Sequence, residues 1–267
     1  MPSVSAVPPS PPSSRDLVVA ALRTAGCVFA EDEAELILTT ARTPAEAAEM
    51  VERRAAGLPL EHVVGWAEFR GLRIAVAPGV FVPRRRTEFL VEQALERAAR
   101  TGVVVDLCCG SGAVGAALAA ALGPVELHAA DIDPTAVRCA RGNIAAVGGQ
   151  AHQGDLFEAL PPTLRGRVGI LAANVPYVPS DEIGLLPQEA RDHEPLVALD
   201  GGTDGLDVLR RVAAEAPRWL APGGSVLMET SRRQAPTAVA ALERHGLETR
   251  LGVSQELYAH VVTGVRP

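Results

Sequence analysis

The sequence predicts an α/β protein with a doubly wound, mostly parallel sheet, preceded by a small helical domain. Short apolar runs alternate with stretches of helical periodicity from residue 87 onward, which is typical of strand–helix–strand units. A glycine-rich turn, CCGSG, follows the first of these apolar runs at residues 108–112. Between residues 15 and 57, apolar residues recur at helical spacing instead.

Composition narrows the class of protein. A chain of 267 residues, 48% of them hydrophobic, is long enough for one large domain and a smaller one. No window approaches the roughly 20 apolar residues of a membrane-spanning helix, and the N-terminus lacks the pattern of a secretory signal. We therefore expect a cytoplasmic protein without a membrane partner. The net charge of −7 disfavours stable nucleic-acid binding, and the four cysteines lack the spacing of a metal site, so no metal is predicted.

The N-terminal part is predicted in three segments. Residues 1–14, rich in proline and serine, are expected to form a disordered tail. Residues 15–65 are expected to form a helical domain of about three helices, with a helix start at Thr43-Pro44. Residues 66–82 place short apolar runs around Gly71 and Pro78-Gly79, which predicts a β-hairpin linker.

The remaining residues, 83–267, are expected to form the α/β domain. The predicted order is a helix at 88–100, strand 103–107, helix 113–122, strand 126–132, helix 134–147, a strand near 168–174, helix 205–220, strand 224–230, and a last helix with strands. Ligands of such sheets bind at the carboxyl ends of the strands, so the chemical motifs should meet there.

The glycine-rich turn indicates a nucleotide-like cofactor. Gly110 and Gly112 allow the backbone to approach a ligand closely, and GSGAVG with Asp131 further on also fits a dinucleotide-binding fingerprint. Asp106 ends the strand before the glycines, where a carboxylate suits the cationic end of S-adenosylmethionine, and Asp131 can accept ribose hydroxyls. S-adenosylmethionine is therefore favoured, with a helix or loop cap as the alternative role of Asp106.

The stretch Asn174-Val175-Pro176-Tyr177 indicates amide chemistry. An amide nitrogen is a poor nucleophile because its lone pair is delocalised, so a methylating site must hold the NH2 group. The side-chain oxygen of Asn174 and the carbonyl of Val175 can each accept one N–H, while Tyr177 packs on the planar group. The alternative is a proline-rich turn without chemistry.

These motifs belong to a longer series of blocks. They include RRAAGLPLEHVVGWAEFRGLRIAVAPGVFVPRRRTEFLVE, DLCCGSGAVGAALA, AADIDPTAVRCARGNI, GDLFEAL, NVPYVP, RDHEPLVALDGGTDGLDVLRR and LAPGGSVLMET. In these blocks the chain resembles the protein-(glutamine-N5) methyltransferase family, whose members modify the glutamine of the Gly-Gly-Gln motif in peptide-chain release factors. The resemblance implies a Rossmann-like class I methyltransferase domain, a helical substrate-recognition domain, S-adenosylmethionine as cofactor and a release factor as protein partner.

The resemblance also implies the roles of individual residues. The glycine loop would bind the cofactor, Asp131 its ribose, Asp155 and Leu156 its adenine, and the loop after Asn174 the substrate glutamine. The implied cofactor residues are Asp106, Cys108, Cys109, Gly110, Ser111, Gly112, Asp131, Asp155, Leu156 and Asn174, and the implied catalytic residues are Asn174, Val175, Pro176 and Tyr177. The amide nitrogen would attack the activated methyl group directly, without a metal.

Three departures from the family pattern indicate a divergent branch, and three other functions stay open. The family's Asn-Pro-Pro-Tyr contains Val175 here, Arg86 replaces an acidic residue, and TSRRQA lacks the family's glycines. A nucleic-acid amino-methyltransferase that acts on a flipped base would use a similar loop, and the run Arg84 to Arg86 supports it. Val175 supports a non-catalytic binding module, and GSGAVG alone supports an NAD-dependent dehydrogenase.

Overall fold

The computed structural model describes residues 14–97 and 102–267. Two compact units are present, one ending at Val64 and one beginning at Gly65. Residues 1–13 of the predicted tail lie outside the described residues, and Ser14, the last residue of that prediction, begins the first helix. None of the described helices combines the length and the apolar character needed to cross a membrane.

The first unit consists of helices. They are α1 (Ser14–Thr24), α2 (Ala30–Thr40), α3 (Pro44–Ala55) and the short α4 (Leu60–Val64), which the periodicity did not predict as a separate helix. Thr43 caps α3 by accepting a hydrogen bond from the Glu46 amide at 3.1 Å, as Thr43-Pro44 predicted. A buried ion pair joins α2 to α3, since Arg54 Nε donates to Glu33 Oε2 at 2.7 Å.

The second unit begins with an antiparallel hairpin and continues as an α/β sandwich. The hairpin strands are β1 (Trp66–Phe69) and β2 (Leu72–Ala75). The helices that follow are α5 (Glu88–Leu95), α6 (Ala113–Leu122), α7 (Pro134–Ile144), α8 (Gln188–His193), α9 (Leu196–Leu199), α10 (Asp207–Trp219) and α11 (Ala235–Arg244). The remaining strands are β3 (Val103–Leu107), β4 (Glu126–Asp131), β5 (Gln150–Gln153), β6 (Val168–Ala173), β7 (Leu220–Thr230), β8 (Glu248–Ser254) and β9 (Ala259–Val265).

The seven-stranded sheet has the order β5-β4-β3-β6-β7-β9-β8. Its first five strands are parallel, and β9 pairs antiparallel with both β7 and β8. The chain builds outward from β3 to β5 and then returns to β6 on the other side of β3. The doubly wound α/β prediction is therefore confirmed, and the point where the winding reverses lies between β3 and β6.

Two hydrophobic clusters cover the two faces of this sheet. Along β3, Val103, Val105 and Leu107 belong to one cluster, whereas Val104 belongs to the other, as the alternation of strand side chains requires. The first cluster includes the apolar face of α10. Trp219 at the end of this helix stacks on Phe157, which lies outside the helix, with ring centroids 5.4 Å apart. The second includes α5, α6 and α7.

Candidate active site

The parallel strands end side by side at the carboxyl edge of the sheet. Leu107 of β3 pairs with Ala130 of β4 and with Ala173 of β6, and Ala173 in turn pairs with Met228 of β7. The residues that come next in the chain are Cys108, Asp131, Asn174 and Glu229. The strand register thus brings the two predicted motifs, the glycine loop and the Asn-Val-Pro-Tyr stretch, to adjacent positions where the winding of the sheet reverses.

The glycine loop turns sharply between β3 and α6. Cys108, Gly110 and Gly112 all have positive φ, at 56°, 52° and 76°. A Cβ on Gly112 would lie 3.0 Å from the Cβ of Ala140, so the glycine allows close packing of the loop on α7. A Cβ on Gly110 would meet nothing nearer than Phe81 at 4.0 Å. The backbone at Gly110 therefore borders open space, as a site for a ligand in close contact with the main chain requires.

Asn143 of α7 fastens this loop to the hairpin. Its Nδ2 donates to the carbonyl of Ser111 at 2.8 Å and to the carbonyl of Ala75 at 2.9 Å, and its Oδ1 accepts from the Ala75 amide at 2.9 Å. Ser111 itself is buried. One amide side chain thus holds both β2 and the turn in place, a role that the sequence reasoning did not assign.

Asp131 lies directly beside the loop. Its Oδ2 accepts the Gly110 amide at 2.8 Å and its Oδ1 accepts the Asp133 amide at 3.0 Å, while burial raises the pKa of its carboxyl group. The carbonyl of Asp131 accepts the amide of Gly154, which brings the following turn to the same edge. In that turn, Asp155 accepts a hydrogen bond from Arg211 at 2.7 Å. Leu156, the next residue, has a φ of 49°.

Asp106 and Cys109 are buried, and Cys108 is half-buried. Asp106 is 1% exposed and its Oδ2 accepts the Gly115 amide at 2.8 Å, so it binds the first turn of α6. Burial raises the pKa of Asp106 to about 8. Burial also raises the pKa values of the Cys108 and Cys109 thiols, which keeps both cysteines protonated and unreactive. Of the two roles considered for Asp106, the observed contact is the helix cap.

The side-chain oxygen of Asn174 accepts no hydrogen bond from any described residue. Its Oδ1 is buried and has no hydrogen-bond partner, whereas its Nδ2 donates to Thr87 Oγ1 at 3.5 Å. A buried carbonyl-type oxygen without a donor costs free energy, which is expected at a site that receives a ligand N–H. Val175, in contrast, is 1% exposed and packs in the hydrophobic core. Pro176 is also buried.

Tyr177 is held by a charged pair beside this acceptor. Its hydroxyl donates to Glu229 Oε1 at 3.2 Å and accepts from the guanidinium of Arg86, which also lies 5.6 Å from the centre of its ring. Burial, followed by the charge of Glu229, raises the pKa of the Tyr177 hydroxyl above its ordinary value. Arg86 Nε donates to Glu229 Oε1 at 2.9 Å, and Glu229 is almost completely buried.

The Asn-Val-Pro-Tyr loop also receives support from the polar stretch that precedes α10 and from the start of α11. Gln234 Nε2 donates to the carbonyl of Tyr177 at 2.8 Å and to that of Asp204 at 2.9 Å. Gly205 packs so closely that a Cβ there would lie 2.3 Å from the Tyr177 carbonyl oxygen. The backbone of the loop is therefore held at Tyr177 by a hydrogen bond and by close packing.

Comparison with known proteins identifies the family. The family model described as Methyltransferase small domain matches residues 71–177. A release factor glutamine methyltransferase of Geobacter sulfurreducens is 38% identical over 199 residues, which cover 74% of this chain and 69% of that protein. The corresponding protein of Mycolicibacterium smegmatis is 38% identical over 210 residues, which cover 78% and 74%. The chain belongs to the release factor glutamine methyltransferase family. The resemblance given by the sequence blocks is thereby confirmed.

Solved structures support the fold of this family member. A methyltransferase from Pyrococcus furiosus matches with a TM-score of 0.54 at 16% identity, over 83% of this chain and 98% of that one. The 16S rRNA N2 G1207 methyltransferase of Thermus thermophilus, solved with AdoMet and guanosine, also matches with a TM-score of 0.54, at 22% identity over 76% and 50%. Both comparisons support the Rossmann-like class I methyltransferase fold.

The predicted site residues converge at one edge of the sheet, and their individual contacts with cofactor and substrate remain predictions. Sequence reasoning missed Thr87, Glu229, Gln234 and Asn143. Glu229 had a usable signal, because a carboxylate at the end of a core strand of a parallel sheet lies at the ligand edge. Thr87 had none, since it precedes α5 and reaches the site only through the tertiary fold.

Proposed function

We propose that this chain transfers a methyl group from S-adenosylmethionine to the side-chain nitrogen of a glutamine in a peptide-chain release factor. The observation that carries the proposal is the buried Oδ1 of Asn174 at the carboxyl edge of a methyltransferase sheet, an acceptor for which residues 14–97 and 102–267 supply no donor. The relatives are release factor glutamine methyltransferases, and their activity supplies the substrate class. The glutamine of the Gly-Gly-Gln motif is the expected acceptor.

The chain's own residues contribute by binding and orienting the amide. A glutamine NH2 group has two hydrogens, and Asn174 Oδ1 with the carbonyl of Val175 provides two acceptors for them. Binding both hydrogens leaves the face of the nitrogen free for attack, and positioning of this kind accounts for a large part of such rate enhancements. Both cysteines of the glycine loop are held as neutral thiols. We therefore assign them no nucleophilic role.

The site residues fit S-adenosylmethionine. The open space at Gly110 admits a ligand against the backbone, and Asp131 offers carboxylate lone pairs for ribose hydroxyls beside it. The family resemblance assigns Asp155 and Leu156 to the adenine, and the bond between the Gly154 amide and the Asp131 carbonyl keeps their turn at the same edge of the sheet. When bound, the cofactor supplies a methyl group activated by the positive sulfonium.

Two alternative functions lose their main support. The non-catalytic alternative rested on Val175, whose side chain lies in the core, so the substitution leaves the site surface unchanged. The nucleic-acid alternative rested on the arginine run, but Arg84 donates to Glu194 at 2.6 Å and Arg86 donates to Glu229 at 2.9 Å. Arginines engaged by buried carboxylates are poorly suited to bind phosphates.

We also assign the helical unit to substrate recognition and the reaction to the cytoplasm. Val28 and Phe29 of the helical unit are 83% and 68% exposed, and neighbouring exposed apolar side chains are typical of protein-binding surfaces. The boundaries of the proposed segments are those given above, namely 15–65 for recognition, 66–82 for the linker and 83–267 for methyl transfer. Because peptide-chain release factors act on ribosomes, we propose the cytoplasm as the site of the reaction.

The test is a methylation assay with the full chain. The protein is incubated with radiolabelled S-adenosylmethionine and a release factor, beside the same factor with the Gly-Gly-Gln glutamine changed to alanine. We expect label only on the unchanged factor. Asn174→Ala should lower kcat by about a hundredfold because the NH2 group loses its orientation. Its binding of S-adenosylhomocysteine, measured by calorimetry, shows whether the cofactor site is intact. Equal labelling of both factors would contradict the proposed substrate.

A further inference from the structure

The orientation of the Asn174 amide is determined by a chain of two side chains behind it. The Thr87 hydroxyl donates to Glu229 Oε2 at 2.7 Å, and Asn174 Nδ2 donates to Thr87 Oγ1 at 3.5 Å. Thr87 and Glu229 are each 2% exposed, so solvent does not compete for these bonds. Thr87 thus contacts the nitrogen of the Asn174 amide, and neither Thr87 nor Glu229 was assigned a role by the sequence motifs.

The direction of the hydrogen bonds follows from the chemistry of the groups. A hydroxyl has one hydrogen, whereas an ionised carboxylate can only accept. Thr87 must therefore give its hydrogen to Glu229, which leaves only lone pairs on the side that faces Asn174. The NH2 group of Asn174 must then point toward Thr87, because the reverse orientation would bring two acceptor oxygens together. Asn174 Oδ1 consequently points the other way, to the place where it has no partner.

The other oxygen of Glu229 is also occupied by donors. Oε1 accepts from Arg86 Nε at 2.9 Å and from the Tyr177 hydroxyl at 3.2 Å. The guanidinium supplies the countercharge that a buried carboxylate requires. Glu229 thus presents a fixed acceptor to Thr87, and Arg86, one of the departures from the family pattern, contributes to this arrangement.

We propose that Glu229 and Thr87 form an orienting relay that fixes the Asn174 amide with its oxygen toward the substrate nitrogen. The inference rests on the proposed function, since it explains how that site is kept ready for a glutamine NH2 group. Thr87 and Glu229 are positioning residues, because they act through Asn174 and contact neither the substrate nor the cofactor.

Four variants test the relay. Thr87→Val removes the hydroxyl at nearly constant volume, and Thr87→Ser restores it. Glu229→Gln keeps the shape of the side chain but reverses the direction of the hydrogen bonds in the relay. Its carbonyl would remain with the donors Arg86 and Tyr177, its NH2 would donate to Thr87, and the Thr87 hydrogen would turn toward Asn174. Thr230→Val is the matched control, because Thr230 is also buried but its hydroxyl has no hydrogen-bond partner among the described residues.

We expect Thr87→Val and Glu229→Gln to lower kcat for release-factor methylation by about tenfold or more, with KM and the affinity for S-adenosylhomocysteine nearly unchanged. Thr87→Ser should recover most of the rate, and Thr230→Val should behave as the unmodified protein. Wild-type kcat in Thr87→Val would overturn the relay. So would equal losses in Thr87→Ser, or a loss matched by weaker cofactor binding.

A second measurement does not depend on the substrate. The side-chain NH2 resonances of Asn174, assigned by their loss in Asn174→Ala, should shift in Thr87→Val and Glu229→Gln but not in Thr230→Val. Unchanged resonances would overturn the relay even if the release factor proved to be the wrong substrate. An unlabelled release factor with shifted resonances would instead contradict the proposed function and leave the relay supported.

Discussion

Gly205 offers the sharpest test of how the Asn-Val-Pro-Tyr loop is held. Its φ is +75°, and a Cβ there would lie 2.3 Å from the Tyr177 carbonyl oxygen and 2.4 Å from Gln234 Nε2. In Gly205→Ala, the left-handed backbone costs about 1–2 kcal/mol. Displacement of Gln234 removes its hydrogen bond to Tyr177, at about 1 kcal/mol more. We therefore expect the free energy of unfolding to fall by about 2–3 kcal/mol.

A matched glycine separates these two costs. Gly246 has a φ of +78°, and a Cβ there would have no atom of the described residues within 4 Å, so Gly246→Ala carries the backbone cost alone. Urea unfolding of both variants should show a difference of about 1 kcal/mol, with Gly205→Ala the less stable. At a temperature where both are folded, Gly205→Ala should also lower kcat by about tenfold, since the carbonyl it displaces belongs to the loop that carries Asn174. Equal stability losses and equal rates in the two variants would refute the reasoning.

Two further substitutions test the glycine-loop side of the site. Asn143→Ala removes the hydrogen bonds to Ser111 and Ala75, which leaves the glycine loop less ordered. We expect the calorimetric Kd for S-adenosylhomocysteine to rise about tenfold, which corresponds to a loss of roughly 1.4 kcal/mol of binding free energy. The pKa of Asp106 is raised to about 8 in the folded protein, above its value in the unfolded chain, so the folded state binds this proton more tightly. The stability that this proton contributes is complete below about pH 4 and is lost as the pH rises through 8. In urea titrations of the unliganded protein, the free energy of unfolding of Asp106→Asn should consequently fall less between pH 4 and 8 than that of the unmodified chain. Parallel pH profiles of the two proteins would contradict the raised pKa.

Local sequence was sufficient to predict several elements of the sheet. The strand at 103–107 and the helix at 113–122 have the predicted bounds, because an apolar run and an alanine-rich stretch are each limited by glycine. β5 was not predicted, since its four residues, QAHQ, have no apolar alternation and form a strand only by pairing with β4. β7 begins at Leu220, earlier than its apolar core, because Leu220 pairs with Val168.

The site was predictable to the extent that its residues follow strands. The register of parallel strands brings Asp131, Cys108 and Asn174 to one edge, and each lies next to a recognisable apolar run. The support of the Asn174 amide was predictable only in part, because Glu229 lies at the carboxyl end of β7 whereas Thr87 follows no strand of the sheet. Thr87 and Glu229 are separated by 142 positions, and nothing in either local sequence indicates their pairing. Such contacts are fixed by topology, which periodicity does not encode.

This separation also has a consequence for the order of folding. The buried bond between Thr87 and Glu229 closes a long loop, and contacts of such sequence distance form slowly because the loop entropy is lost before they stabilise the chain. During synthesis, the residues of the glycine loop and Asn174 are added to the chain before those of β7. The nascent chain can therefore acquire a cofactor pocket first, and we expect its ability to orient an amide to arise last, when β7 joins the sheet beside β6.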